Sequence, residues 1–417
     1  MGRFVINGGR RLLGEVAIGG CKNAVLPILA ATLLTGKCSI IHNCPAISDT
    51  YVSIDILRHL GCDVAYDGEI IIIDSTEASD RVLPGVYTSA MRSSVLFAGS
   101  LLSRFGRFEM AYPGGCELGA RPIDLHLMAF EKMGAKIDNS ENRVIAKAKK
   151  LEGTKINLDF PSVGATQNAI LAAVLAKGKT IITNAAKEPE IADLQGYLQV
   201  AGARIFGAGT SVIIIEGVKQ LRDVEYKIMP DRIVAGTYLV AGAITRGHVR
   251  VANVNPKDLE PVTHALEKTG AKLQTYKNTI TLKMQDRPIN IPKLITSPHP
   301  GFPTDVQQQI TSLLAVARGE SIIEEKLFDA RDAHIAELVK MGANIKNVDN
   351  NRFEINGVVE LFGTDVYAKD LRGGAALVIA GLAANGQTVV HNAEYIQRGY
   401  EAMNKDLQSL GADITLT

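Results

Sequence analysis

LRHLGCDV, residues 57–64, returns five more times along the chain. The other copies are FEKMGAKI (130–137), LQVAGARI (198–205), LEKTGAKL (266–273), LVKMGANI (338–345) and LQSLGADI (407–414). Their glycines stand at 61, 134, 202, 270, 342 and 411. A second series keeps step with the first: LLTGKCSII, LSRFGRFEM, LAKGKTIIT, ITRGHVRVA, VARGESIIE and AANGQTVVH, with glycines at 36, 106, 178, 247, 319 and 386. Two independent series sharing a period of about 70 residues define six copies of one structural unit.

Each unit reads alike. An apolar helix such as AVLPILAATLL ends at a second-series glycine, which accepts the left-handed backbone of a helix C-cap. A short β-branched strand follows (CSIIHN, KTIITN, QTVVHN), then an amphipathic helix closing at the first-series glycine, then two more strands. The first helix is apolar nearly all round (AILAAVLA, GTYLVAGAI, ALVIAGLAA), so it is expected to be buried. Six units of a buried helix, an outer helix and short strands predict an α/β fold with helices wrapped in sheet.

The chain ends suggest how the units group. Unit six stops at GADITLT without the lead-in strand that precedes other units, and RFVINGGRRLLGEVAI at the N-terminus resembles that missing piece. Two domains are therefore expected, as for most chains of this length. Residues 22–229 form one and residues 1–21 plus 230–417 the other, with three units each. The chain would cross twice, near 21 and 230, giving a hinged pair of pseudo-threefold lobes.

Composition narrows the class. The 417 residues are 46% hydrophobic and 21% charged, with a net charge of +1, so no global field favours nucleic acid or a membrane surface. No apolar run reaches the length of a membrane span. The five cysteines (21, 38, 44, 62 and 116) lack metal-ligand spacing, and no secretory signal is evident. Reduced thiols in a cytoplasmic protein are the expectation. No H-E-x-x-H, cysteine-rich or acidic-loop pattern points to a metal. The Gly-Lys-Thr at 178–180 follows a helix and lacks the earlier glycine of a phosphate-binding P-loop.

Counting back 14 residues from the second-series glycines gives the starts of the buried helices: Lys22, Arg92, Gly164, Ile233 (beside Asp231 and Arg232), Asp305 and Arg372. A helix N-terminus carries partial positive charge, so Lys22, Arg92 and Arg372 there are unfavourable unless an anion compensates them or their side chains extend to solvent. Several such starts would suit a polyanionic ligand. Ser162 is a candidate helix cap, and Gly164 would let backbone amides approach a phosphate closely.

GGCKNAVLPILAATLL (19–34), PGGCELGARPIDLH (113–126), SVGAT (162–166), FPTDVQ (302–307) and IQRGYE (396–401) resemble the enolpyruvyl transferases, specifically the UDP-N-acetylglucosamine 1-carboxyvinyltransferases. The resemblance covers the whole chain. It implies a two-domain inside-out α/β barrel of six units, three per domain. It also implies transfer of the enolpyruvyl group of phosphoenolpyruvate to the 3′-hydroxyl of UDP-N-acetylglucosamine, with release of phosphate through a tetrahedral ketal. No cofactor or metal is implied; the partners are these two small molecules, with no nucleic acid, and the oligomeric state is left open.

By the same resemblance, Cys116 is the general acid on a glycine-flanked lid (Gly114, Gly115) and can form an adduct with phosphoenolpyruvate. A thiol suits this because its ordinary pKa lies near working pH. Asp305 is the candidate base, where an aspartate could otherwise simply cap the helix. Lys22, Asn23, Arg121 and Arg398 would surround phosphoenolpyruvate, with Arg331 and Arg372 as further ligands; arginine favours two-pronged contact with carboxylate and phosphate. The sugar nucleotide would be held by Asn23, Arg92, the run Arg121-Pro122-Ile123-Asp124-Leu125, His126, Phe160, Pro161, Ser162, Val163, Gly164, Asp305 and Leu327. Some relatives carry a lysine two residues before the serine, where Phe160-Pro161 stands here, which leaves any phosphate contact at that position to the backbone. The remaining cysteines are expected to be structural.

Two rivals follow from the same residues. A shikimate-pathway enolpyruvyl transferase shares the fold and donor but lacks the loop cysteine. An inactive regulatory paralogue would bind the sugar nucleotide and would need neither Cys116 nor Asp305.

Overall fold

The computed structural model describes residues 2–112, 123–140, 142–349 and 351–417. These divide into two compact units, one built from residues 20–112 and 123–229, the other from 2–19 and 230–417. Each has its own hydrophobic core.

At the centre of the first unit lie helices Lys22–Thr35, Leu96–Phe105 and Val163–Ala173, packed on one another. Every residue from Ala24 to Thr35 is buried. Leu33, Leu101 and Leu171 are wholly shielded, each contributing roughly 1.5–3 kcal/mol relative to an exposed side chain. Arg232–Ile244, Thr304–Ala315 and Leu371–Ala383 form the matching trio of the second unit. Polar side chains stitch neighbours within each trio: Ser103 Oγ donates to the Ala172 carbonyl at 2.9 Å, and Ser312 Oγ to that of Ala376 at 2.8 Å.

Around each trio stand amphipathic helices and small sheets, giving the two-domain inside-out α/β fold. The first-series glycines all adopt the left-handed region, from φ 89° at Gly411 to 101° at Gly202. An L side chain there would be strained, which is why this position stays glycine through all six units. In the second series the fourth unit differs: Arg246 (φ 53°) takes the left-handed position instead of Gly247.

The sheets repeat one design. In the third unit, lead-in strand Lys155–Asn157 runs parallel to Lys179–Thr183, whose other edge pairs antiparallel with Val212–Glu216 and then Arg204–Phe206. The first unit takes its lead-in from Val224–Lys227, parallel to Cys38–His42. The N-terminal segment supplies two strands where one was expected. Leu13–Ala17 is the parallel lead-in to His248–Ala252, and Arg3–Asn7 inserts antiparallel between Gln387–His391 and Asp413–Leu416. Arg3–Asn7 thus fills the last strand position of unit six, and Leu13–Ala17 the first of unit four.

One further position recurs. Directly after the repeated strand, Asn43, Asn184, Asn253 and Asn392 all adopt left-handed backbone, with φ between 54° and 59°. Asparagine tolerates that region better than other side chains. Each donates its amide to a carbonyl just beyond the lead-in strand: Ile228, Leu158, Ile18 and Ala368 respectively. Two units depart from this pattern: Tyr112 follows strand Arg107–Ala111 in the second, and in the fifth Glu325 follows Glu320–Glu324 and Thr296 follows Lys293–Ile295.

Candidate functional site

The helix starts that the repeat singles out carry the candidate side chains. In the first unit Lys22 opens its helix, and its Nζ lies 2.9 Å from Asp49 Oδ2. Both side chains are nearly buried. Asp49 itself sits in the first turn of helix Ser48–His59, where a carboxylate is favourable. Asn23 is half-buried beside Lys22. Arg92 opens a 3-10 turn, Arg92–Val95, that leads into Leu96–Phe105.

Ser162 caps the third helix: its hydroxyl accepts from the Ala165 N–H at 3.3 Å. This satisfies one of the four N–H groups that a helix start leaves open. Val163 and Gly164 follow, half-buried, while Phe160 is exposed. Gly164 packs against His126, and a Cβ there would stand 3.0 Å from the ring carbon Cε1 and 3.2 Å from Nε2. Ile123 is buried ahead of helix Asp124–Lys132, with Asp124 exposed and Leu125 half-buried.

The tautomer of His126 follows from its neighbours. Asn168 Oδ1 accepts from the Gly99 N–H at 2.9 Å, which fixes the amide orientation. Asn168 Nδ2 then donates to the Val95 carbonyl at 2.9 Å and faces His126 Nδ1 at 2.7 Å. An N–H donor at Nδ1 requires a lone pair there, so the ring is neutral with its proton on Nε2, the nitrogen facing Gly164. Burial, with the nearby Arg92 charge, pushes the His126 pKa down to about 4.

This has a measurable consequence. Below about pH 6.5 the unfolded chain binds a proton at this position that the folded chain refuses until near pH 4. Stability is therefore complete above that window and falls as the pH drops through it, by about 2 kcal/mol at pH 5. Urea unfolding at pH 7.5 and pH 5 checks it: His126→Phe should show a drop smaller by that amount. His334, buried against the second trio, is likewise held neutral, by burial and by the Arg331 charge against the pull of Asp370.

In the second unit the candidate residues meet directly. Asp305 is the second residue of helix Thr304–Ala315; its side chain does not cap the helix but bridges two arginines. Arg331 Nη2 donates to Oδ1 at 2.7 Å, and Arg372 Nη2 to Oδ2 at 3.1 Å. The arginine side chains are 3% exposed and that of Asp305 26%, so of the three Asp305 lies nearest to solvent. Burial opposes ionisation of Asp305, but the charges of Arg372 and Arg331 and their hydrogen bonds outweigh it and hold the carboxyl well below the usual range. Arg331 lies over the Phe328 ring at 4.8 Å and Arg372 over Tyr400 at 5.5 Å. Asp370 caps the Arg372 helix, accepting from the Arg372 and Gly373 N–H groups at 3.0 and 2.9 Å.

The chain thus provides its own counter-charges for two of the cations at helix starts. Asp49 compensates Lys22 and Asp305 compensates Arg372, which the sequence reading assigned to a ligand. Arg398 is half-buried in the turn at 397–399, and Leu327 is half-buried with its N–H on Glu325 at 2.8 Å. Cys116, Arg121 and Pro122 lie outside the described residues. The sequence reading missed Asp49, Asn168, Asp370 and Glu325. Asp370 had a signal, as an aspartate two residues before Arg372 in cap position; Asn168 and Glu325 had none in their local sequence.

Among the described residues, Cys44 and Cys62 have thiols pushed up to about 12 by burial, as befits structural cysteines. No group of three or more His, Cys, Asp or Glu among these residues could hold a metal ion. No helix of the described chain is long and apolar enough to cross a membrane.

Comparison with known proteins places this architecture. Residues 6–407 match the family model of EPSP synthase (3-phosphoshikimate 1-carboxyvinyltransferase). A protein of Caldanaerobacter subterraneus subsp. tengcongensis, UDP-N-acetylglucosamine 1-carboxyvinyltransferase 2, is 51% identical over 99% of both chains. UDP-N-acetylglucosamine 1-carboxyvinyltransferase 1 of Staphylococcus aureus (strain MRSA252) is 46% identical over the same share. The solved enolpyruvyl transferase NikO of Streptomyces tendae superposes with a TM-score of 0.88 at 27% identity, covering 100% of this chain and 99% of that one. The fold and the family match define a carboxyvinyl transferase of the EPSP synthase class. Within that class, the chain belongs to the family of the UDP-N-acetylglucosamine 1-carboxyvinyltransferases.

Proposed function

We propose that the protein transfers the enolpyruvyl group of phosphoenolpyruvate to the 3′-hydroxyl of UDP-N-acetylglucosamine, releasing phosphate, as the first committed step of peptidoglycan biosynthesis. It would do so in the cytoplasm, feeding the cell-wall assembly that sets shape and permits division. One observation carries the reading: 46–51% identity over 99% of the chain to proteins named for this reaction. The geometry is compatible with it, since buried cations and a carboxylate cluster at the helix starts of the second unit.

The chemistry assigns the roles. The Cys116 thiol gives its proton to C3 of phosphoenolpyruvate as the 3′-oxygen attacks C2, forming the tetrahedral ketal. Loss of a proton from C3 and departure of phosphate then restore the double bond. Lys22, Arg121 and Arg398 serve the phosphate and carboxylate of the donor. His126, as a neutral N–H donor beside Gly164, serves the sugar nucleotide with Asn23, Arg92, the 121–125 run and residues 160–164. Asp305, doubly paired with arginine, is a weak base as it stands. An anionic donor that engages Arg331 and Arg372 would free the carboxylate to accept the hydroxyl proton.

Phosphate release from phosphoenolpyruvate tests the assignment. Release with UDP-N-acetylglucosamine and none with shikimate 3-phosphate is the expected result. The reverse would make the protein a shikimate-pathway enzyme, and release with neither would make it a binding paralogue.

A further inference from the structure

We propose that Glu325 is a positioning residue: acting through the Thr304 hydroxyl, its carboxylate sets the Arg331 guanidinium and so the placement of Asp305. The proposal rests on the enolpyruvyl-transfer reading above. Glu325 is 1% exposed. Its Oε1 accepts from Thr296 Oγ1 and from the Leu327 N–H, each at 2.8 Å, and its Oε2 accepts from Thr304 Oγ1 at 2.8 Å.

The direction of these bonds matters. An ionised carboxylate only accepts, so the one hydroxyl proton of Thr304 is committed to Glu325. The lone pairs of Thr304 are then left for Arg331, whose Nη1 donates to them at 2.6 Å. A guanidinium is a rigid planar fork, so fixing Nη1 also fixes Nη2, which holds Asp305 Oδ1 at 2.7 Å. Buried carboxylate, hydroxyl, guanidinium and site carboxylate thus form one chain of bonds, with all its members in the second unit.

The internal repeat supplies an independent argument. At the position of Glu325, four other units carry a left-handed asparagine that bonds only the backbone beyond the lead-in strand. The residue reached there is Ile228, Leu158, Ile18 or Ala368, all apolar; in the fifth unit it is Thr296. Both partners have changed together, in the unit whose buried helix carries Asp305. A stitch between strands would be served by asparagine, as it is in those four units. Glutamate keeps the stitch through Thr296 and adds an arm that reaches the start of the helix.

The test separates the two arms. Steady-state phosphate release and UDP-N-acetylglucosamine affinity are measured for Glu325→Gln, Thr304→Val, Thr304→Ser, Thr296→Val and the double variant Glu325→Gln/Thr304→Val. Glu325→Gln and Thr304→Val should each lower kcat by about 10- to 100-fold, the scale expected of a displaced reacting group. Affinity should stay within about twofold of wild type, and the double variant should be no worse than the poorer single one, because both break one chain. Thr304→Ser should recover most of the loss, and Thr296→Val should hold kcat within about threefold while lowering the melting temperature. Loss of kcat in Thr296→Val equal to that in Glu325→Gln, or single losses that multiply in the double, would overturn the proposal. If Glu325→Gln does not fold, the Thr304→Val and Thr304→Ser pair decides it alone: equal kcat in the two overturns it. Wild-type protein without turnover overturns the activity reading and the proposal together, whereas active wild type with unaffected variants overturns the proposal alone.

Discussion

Cys116→Ala is expected to lower turnover by about two to four orders of magnitude, the usual contribution of a positioned general acid, with UDP-N-acetylglucosamine affinity within about twofold of wild type. The expectation comes from chemistry at a defined sequence position, since Cys116 lies outside the described residues. Protonating C3 needs a donor whose pKa lies near working pH, and a free thiol meets that condition. Three of the described thiols are moved away from it: Cys44 and Cys62 are pushed up to about 12 by burial, and burial with Asp74 and Asp223 also raises Cys38. Phosphoenolpyruvate incubated with the wild type should therefore leave its covalent adduct on Cys116, read by peptide mass spectrometry, and the alanine variant should show none. Cys116→Asp should keep part of the activity, because a carboxylic acid can also give up a proton. Full turnover in Cys116→Ala would remove the thiol from the mechanism.

The parts of this molecule that were legible in its sequence are those set by local rules. First-series glycines mark left-handed caps because no other residue is comfortable there, and the apolar helices declare their own burial. Six units follow from that alone, and the helix starts can be counted from the glycines. What escaped depends on partners distant in sequence. Lys22 and Arg372 read as cations awaiting an anionic ligand, yet Asp49 and Asp305 are beside them in the fold. Nothing near Lys22 announces Asp49, because only the packing of Ser48–His59 on Lys22–Thr35 brings them together. The N-terminus shows the same limit. Its resemblance to a lead-in holds for Leu13–Ala17, but Arg3–Asn7 fills the place between Gln387–His391 and Asp413–Leu416 that unit six leaves open, and that place is a property of the sheet. Glu325 was hidden for a different reason. It matters by contrast with Asn43, Asn184, Asn253 and Asn392, and the contrast shows only once the strand ends are aligned in space.

Asp305→Ala is expected to damage the fold of the second unit as well as catalysis. Its removal leaves Arg331 and Arg372, each 3% exposed, as buried cations without their shared carboxylate. Breaking a buried pair by deleting one partner costs about 3–5 kcal/mol, because the remaining charge keeps its desolvation penalty and loses its attraction. Two properties separate this from an ordinary loss of packing. First, an anion can stand in for the missing carboxylate, so phosphate or phosphoenolpyruvate should raise the melting temperature of Asp305→Ala more than that of wild type, as a ligand bound only by the folded state must. Equal shifts in the two proteins would mean that the arginines are not released by the substitution. Second, the pH profile of kcat/KM reports groups of the free enzyme, where the two arginines hold Asp305 ionised below the usual carboxylate range. A base must be deprotonated to act, and the two arginines keep this one ionised below the usual carboxylate range. Wild type should therefore show no acid limb from Asp305 between pH 4 and 6, whereas a limb there that vanishes in Asp305→Asn would mean the arginine grip is weaker than the geometry implies. If Asp305 is the base, kcat in the asparagine variant falls far more than sugar-nucleotide affinity; if affinity falls more, the carboxylate is a ligand for the sugar hydroxyl and the proton leaves by another route.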